Sequence, residues 1–387
     1  SYMLNDTMSI RQGGSAIDVT ARVPDDAAAR LNDRGRTRTM PTIAVDLYSD
    51  TLSKPSRAMR AFMCDAEVGD EQKGEDPTVN RLQEMVAELL GKEAALFLPS
   101  GTMCNEIALK VHTRPGDEVL MDKTAHPIHF EAGAPGLLSG VILTGLDGAR
   151  GVYTPEHVEA AVHAPSRYAP PTRLLWVENT SNLGGGTIWP LEQIVAVCAT
   201  ARTHSLATHM DGARLMNAVV ASGVSAAAFA APFDSVWIDF TKGLGAPVGA
   251  ALAGPREFIN AAWRYKQAFG GALRQAGIIA AGGIYALEHN VERLAEDHAH
   301  ARILADGLAE MPGIAIDPRT VETNLVFFDV AALGMTAAQW CEAILAHGVR
   351  MNAMGRTRVR AVPHLDVDRA GIERALAAAR AVATQAR

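Results

Sequence analysis

Past residue 45 the chain alternates short apolar runs with stretches in which apolar residues recur every three or four positions. The first texture predicts buried strands and the second amphipathic helices. Helices are expected over 56–64, 78–90, 105–111, 154–162 and 191–201, and strands over 94–98, 118–121, 140–143, 174–178, 207–210 and 235–240. Strands that alternate with helices imply an α/β fold, with a mostly parallel sheet covered on both faces. A long helix is expected over 276–305, because no break signal precedes Met311-Pro312-Gly313. Shorter elements follow over 323–330, 337–347, 359–362 and 370–383, the pattern of a smaller α+β domain. Residues 1 to about 41 are polar and weakly patterned; a short helix over 25–30 is expected in an otherwise partly disordered arm. The division implied is an arm over 1–44, a large domain over 45–275 and a small domain over 276–387.

Composition narrows the class. The 387 residues allow two or three domains and a large buried core. A formal net charge of −7 leaves no basic excess for nucleic-acid phosphates. Apolar stretches are broken by Gly, Pro or charge well short of the ~20 residues a membrane helix needs. Cys64, Cys104, Cys198 and Cys341 form no CxxC pair, which argues against a disulfide scaffold or zinc knuckle and suits a reducing cytosol.

Four places carry candidate chemistry. Lys242 follows the apolar run 235–240 and precedes a Gly-rich turn. It reads either as a surface lysine at a strand end or as an amine at the carboxyl end of a parallel strand, where ligands bind in open α/β sheets. Asp211 ends the strand over 207–210 and has Arg214 three residues on. It reads either as a helix cap or as the acid that keeps a pyridine nitrogen protonated, which pyridoxal phosphate (PLP) chemistry requires. The separation 242 − 211 = 31 leaves room for one crossover helix, so the two can meet at neighbouring strand ends. Ser100-Gly101-Thr102, between a strand and a helix, is either an ordinary turn or a phosphate cradle of backbone N–H groups. His126, just past a strand end, is either a hydrogen-bonded loop histidine or a group that stacks on a cofactor ring and moves protons. A metal reading for His126 and His129 lacks further ligands nearby.

Taken together the motifs resemble the threonine aldolase family, within the aspartate-aminotransferase-like (fold type I) PLP enzymes. The marks run in family order from about residue 45 to the C-terminus: Asp46-Leu47-Tyr48-Ser49-Asp50-Thr51, Gly74-Glu75-Asp76-Pro77-Thr78, Pro99-Ser100-Gly101-Thr102, His126 with Phe130-Glu131, Glu178-Asn179-Thr180, His209-Met210-Asp211-Gly212-Ala213-Arg214, Thr241-Lys242-Gly243-Leu244-Gly245 and Gly270-Gly271-Ala272-Leu273-Arg274. The resemblance implies a seven-stranded sheet, PLP as cofactor and retro-aldol cleavage of threonine-like substrates to glycine and an aldehyde. It implies a Schiff-base lysine at Lys242, an acid against the pyridine nitrogen at Asp211, and phosphate contacts from Ser100, Gly101 and Thr102, with Arg274 reaching in from a neighbouring subunit. His126 is expected on the ring, and either it or a water is expected to be the base. Ser49, Arg214 and Arg360 are expected on the substrate carboxylate, which an arginine fork grips with two hydrogen bonds, and Arg214 also near the cofactor. A homo-oligomer, dimer or tetramer, in the cytoplasm is implied as well.

The chain departs from the family pattern at Tyr48, where Arg is usual, at Gln72-Lys73, where Val-Tyr is usual, at Gln267, where a phosphate-directed Lys is frequent beside Lys266, and at Tyr168, where many members carry a His near the substrate side chain. These departures concern the aldehyde side of the substrate. Rival readings are an aldolase or transaldolase for phenylserine or 3-hydroxyaspartate, a PLP β-eliminating lyase, and a non-catalytic PLP-fold binding protein.

Overall fold

The structure, a computed structural model, describes residues 42–386. The expected arm up to residue 41, with its helix over 25–30, lies outside the described residues. The described part opens on a two-residue strand β1 (Val45–Asp46). A seven-stranded sheet follows, made of β2 (Ala94–Leu98), β3 (Glu118–Asp122), β4 (Ile142–Leu146), β5 (Thr172–Glu178), β6 (Ala207–Gly212), β7 (Ser235–Asp239) and β8 (Ala250–Gly254). Its order is β2-β8-β7-β6-β5-β3-β4, with every pair parallel except those made by β8.

Side-chain alternation in these strands builds two cores. Phe97, Leu120, Leu175, Val177, Val236 and Ile238 enter the apolar cluster on one face. Their neighbours Leu96, Val119, Leu174, Trp176 and Trp237 enter the cluster on the other. Both faces are covered, so the strands are apolar almost throughout, as a parallel sheet requires. A third core lies under the C-terminal sheet of β9 (Val326–Asp329), β11 (Asn352–Ala353) and β12 (Arg358–Ala361), while β10 (Val349–Arg350) pairs with β1.

The helix Pro77–Leu90 shows how local sequence sets an element. Asp76 caps it, its Oδ1 accepting the N–H groups of Thr78 and Val79 at 3.1 and 3.0 Å. Pro77 supplies a pre-set φ at the first turn, and Gly91 ends the helix in the left-handed region. Val79, Leu82, Val86 and Leu90, spaced by three and four, form its buried face.

Three expectations need correction. The helix expected over 276–305 is two helices, Gly277–His289 and Leu294–Ala309. Asn290 leaves the helix to donate its side-chain N–H to the Leu244 carbonyl at 2.7 Å. The break lets the first helix pack on Arg57–Cys64 and Pro77–Leu90 and the second fill the C-terminal core. The strand expected over 140–143 is Ile142–Leu146, because a helical turn at Pro135–Ser139 ends in left-handed Gly140. The helix expected from Asn105 begins at Gly101, directly after its cap Ser100. Strand β8 and the helix Arg256–Ala268 were not expected: Ala-Ala-Leu-Ala-Gly carries little β propensity, and its partners β2 and β7 hold it antiparallel.

The helix Arg256–Ala268 and the turn Glu71–Lys73 are joined by a buried ion pair. Lys266 Nζ donates to Glu71 Oε2 at 2.8 Å, and both side chains are 1% exposed. Glu71 also accepts the N–H of Leu273, and Gln72 donates to the Leu273 carbonyl at 3.0 Å. Lys266→Met therefore strands a buried carboxylate and should cost about 3–5 kcal/mol, whereas Lys266→Met with Glu71→Gln should recover much of the loss. Urea unfolding of the three chains at matched pH checks this; equal stability of wild type and Lys266→Met would refute it.

Candidate active site

The carboxyl edge of the parallel strands opens on a cavity of about 170 Å³. Strands β5, β6 and β7 deliver Glu178, Asp211 and Asp239 to it, each at or next to its strand's last residue. The register pairs Asp211 with Trp237 across β6 and β7. Lys242 enters from the turn after β7, and Ser100, Gly101 and Thr102 from the start of the helix Gly101–His112. His126 completes the wall just past β3.

Asp211 is buried, and burial pushes its carboxyl up against the opposing pull of His126, Asn105, the Ala213 N–H and Lys242. Its Oδ2 accepts from Asn105 Nδ2 at 3.0 Å, and its Oδ1 accepts the N–H of Ala213 at 3.0 Å. Asn105 is a hub. The same Nδ2 donates to Glu131 Oε1 at 2.6 Å, and its Oδ1 accepts the indole N–H of Trp237 at 2.6 Å. Glu131 Oε1 also lies 2.7 Å from His126 Nδ1. A carboxylate only accepts, so His126 donates from Nδ1 and keeps Nε2 as an acceptor. Burial alone would lower the His126 pKa, but the Glu131 hydrogen bond and the Asp211, Glu131 and Glu178 charges hold it above its ordinary value.

Glu178 anchors two backbones. Its Oε2 accepts the N–H of His126 and its Oε1 that of Asn182, both at 2.7 Å. Burial and the Asp211 charge push its carboxyl up to about 7. Lys242 Nζ bonds Asp239 Oδ2 and lies 5.7 Å from the Trp237 ring centre. Asp239 is itself fixed by the N–H and hydroxyl of Thr241 at 2.6 and 2.7 Å.

The cradle at Gly101 has no spare room: a Cβ there would stand 2.3 Å from the Trp237 ring. Ser100 Oγ accepts the Met103 N–H at 3.2 Å, which leaves the first N–H groups of a twelve-residue helix directed at the cavity end.

Other expected residues lie farther out. Arg214 lines the cavity, but its Nε and Nη2 are committed to Asp50 at 2.8 and 2.7 Å. Burial alone would raise the Asp50 carboxyl; the Arg214 charge and the hydrogen bonds from Arg214 and Asn324 hold it well below the usual range. The Ser49 hydroxyl is buried beside Thr51, which lines the cavity. Arg360 Nη1 donates to Asn182 Oδ1 at 3.0 Å and Nη2 to the Tyr48 carbonyl at 3.4 Å, while its Nε is buried with no acceptor. Burial and the Arg214 charge lower Arg360 to about 10. Arg274 is 62% exposed and pairs with Asp70 at 3.0 Å, away from the cavity of its own chain. Tyr168 is 90% exposed and does not reach the cavity within the chain. Among the described residues no group of three or more His, Cys, Asp or Glu is placed to hold a metal ion.

The chain matches the beta-eliminating lyase family model over residues 46–332. It belongs to the beta-eliminating lyase family. A low specificity L-threonine aldolase of Escherichia coli K12 is 42% identical over 326 residues, covering 84% of this chain and 95% of the relative. Low-specificity L-threonine aldolase 1 of Arabidopsis thaliana is 39% identical over 326 residues, covering 83% and 91%. The threonine aldolase resemblance is thereby borne out. The solved Leishmania major threonine aldolase superposes with a TM-score of 0.74 at 20% identity, covering 88% of this chain and 99% of that one. A Sphingomonas wittichii serine palmitoyltransferase gives 0.70 at 16% identity, covering 96% and 99%. The fold of this family member is the expected aspartate-aminotransferase-like one, with a mostly parallel seven-stranded sheet and a smaller C-terminal sheet.

Sequence reasoning passed over Asn105, Asp239, Asn182 and Trp237. A usable signal existed for two of them: Asn105 stands one helical turn after Gly101, and Asp239 is an acid ending an apolar strand. In this family member Asn105→Ala should leave the Trp237 N–H and oxygens of two buried carboxyl groups short of partners, at a cost of about 2–4 kcal/mol. A urea midpoint within error of wild type would refute that.

Proposed function

We propose that this chain is a PLP-dependent aldolase that cleaves L-threonine, L-allo-threonine and related β-hydroxy-α-amino acids to glycine and an aldehyde. The observation that carries the reading is the convergence of Lys242, Asp211 and the Ser100–Thr102 cradle on one cavity, in a chain about 40% identical to relatives so named. The residues present fit the cofactor. A buried carboxyl group that lacks a full cationic partner suits a protonated heterocycle, a helix N-terminus suits a phosphate, and an amine between them suits an aldehyde. When bound, PLP supplies an electron sink for the charge left at the substrate Cα.

The chain's own residues divide the remaining work. Lys242 holds the cofactor through Nζ, with Asp239 as its charge partner. Asp211 keeps the heterocycle nitrogen protonated, and Asn105 fixes the face its carboxylate presents. Arg360, with an unmatched Nε, and the Ser49 hydroxyl take the substrate carboxylate. Arg214 has two donors on Asp50, so its part is to hold the 46–53 segment against β6 and to keep positive charge near the carboxylate. His126 Nε2 takes the β-hydroxyl proton, directly or through a water, and Glu131 stabilises the imidazolium that results.

The chain works as a homo-oligomer, dimer or tetramer. Support comes from Arg274, exposed and outside its own cavity, and from Tyr48, Leu52 and Phe130, apolar side chains left exposed. A cytoplasmic setting is supported by four unpaired cysteines; among the described residues no helix is long and apolar enough to cross a membrane.

PLP-loaded protein incubated with L-threonine should release glycine and acetaldehyde in equal amounts. Lys242→Ala should abolish turnover, and Asp211→Ala should lower kcat by about 100-fold or more, the scale of a lost preorganised electrostatic contact. Pyruvate and ammonia in place of glycine and acetaldehyde, or near-native turnover by Lys242→Ala, would overturn the proposal.

A further inference from the structure

One buried acid behind the cavity has no part in the arrangement so far. Glu106 follows Asn105 on the helix Gly101–His112 and is 2% exposed. Both of its carboxyl oxygens are buried without a donor. The charged group facing it is Glu131, whose Oε2 is likewise buried without a donor. Glu131 Oε1 is already taken by Asn105 and His126. Among the described residues no Lys or Arg is paired with either acid.

Two carboxylates facing each other in a dry setting cannot both ionise. A single shared proton makes an O–H···O bond and gives Glu131 Oε2 and one Glu106 oxygen their missing partner. The proton belongs on Glu106. Glu131 Oε1 accepts from Asn105 and His126, whereas neither Glu106 oxygen accepts from any donor. Burial and the facing Glu131 accordingly push the Glu106 carboxyl up, to about 9.

We propose that Glu106 is a positioning residue that stays protonated, donates to Glu131 Oε2 and, through Glu131, sets the basicity of His126. His126 faces Glu131, Glu178 on β5 and Asp211 on β6, with Lys242, Asp239 and Arg214 elsewhere on the cavity wall and the Phe130 ring 5.2 Å away. Of these, Glu131 alone is bonded to the His126 ring. The Glu106 hydrogen bond spreads the Glu131 charge over a third donor, beside Asn105 and His126, and weakens its hold on the imidazolium. His126 therefore releases a proton more readily than it would against Glu131 alone.

The test uses the full chain prepared without cofactor. Infrared difference spectra of wild type minus Glu106→Gln at pH 7 should show a protonated-carboxyl C=O band. A titration of His126 by NMR, assigned by its loss in His126→Asn, should keep its midpoint in Glu106→Gln, whose amide still donates. The midpoint should rise by about one pH unit in Glu106→Leu, the scale of one hydrogen bond to a buried charge. No carboxyl band, or midpoints that move equally in the two variants or in neither, would overturn the proposal. Should Glu106→Leu not fold, Glu106→Met, which also lacks a donor, takes its place, with the same rise expected and the same outcomes overturning the proposal. The role assigned to His126 rests on the proposed aldolase reading. The infrared band does not, so a chain that shows the band but leaves threonine intact would refute the activity and keep the proton on Glu106.

Discussion

Negative charge is crowded into a small dry space at the end of this sheet, and the rest of the site is arranged around that fact. Glu178, Asp211 and Asp239 share a cavity of about 170 Å³, and Glu131 stands directly behind. The local cations are few and partly spent. Arg214 is committed to Asp50, and Lys242 is bonded to Asp239. Asp211 and Glu178 are left with His126 and with neutral donors, and burial pushes both carboxyls up. Such a balance favours a cationic guest, because a positive heterocycle would lower the cost of keeping Asp211 ionised. The charge balance around Asp211 is thus compatible with the protonated heterocycle of the proposed cofactor.

Rigidity is the second requirement, and Asn105 and Trp237 meet it together. The amide of Asn105 ties Asp211, Glu131 and the Trp237 indole into one network reaching from the helix Gly101–His112 to β6 and β7. The Trp237 ring in turn lies against the Gly101 backbone so closely that no side chain fits there. The start of the helix Gly101–His112, Asp211 and the end of β7 are therefore referenced to the same two side chains. A preorganised polar wall of this kind needs little rearrangement when charge moves during a reaction. The buried Glu71–Lys266 pair does a related job at the outer loops, fixing the segment that presents Arg274 outward.

The sequence by itself determined the strand–helix alternation, the parallel sheet and several candidate residues that the fold gathers at its carboxyl edge. Read from the residues alone, Lys242 fitted a strand-end surface lysine and Asp211 a helix cap as well as chemistry, and the run of motifs in family order gave them their expected roles. Helix boundaries were legible beside the local caps Asp76 and Gly91, but not at Ser100, where the helix begins four residues before the expected Asn105. Tertiary structure alone decided the break at Asn290, the antiparallel β8 and the pairing of Arg214 with Asp50, since each depends on a partner distant in sequence: Leu244, β2, and a carboxylate 164 residues away. It also decided which acids meet. Glu106 reads as one of several polar residues on its helix, and only the folded chain sets it against Glu131. Spacing along a chain reports which face of an element a residue occupies; what stands opposite that face is set by packing, and in a dry interior the opposite group decides where the proton resides.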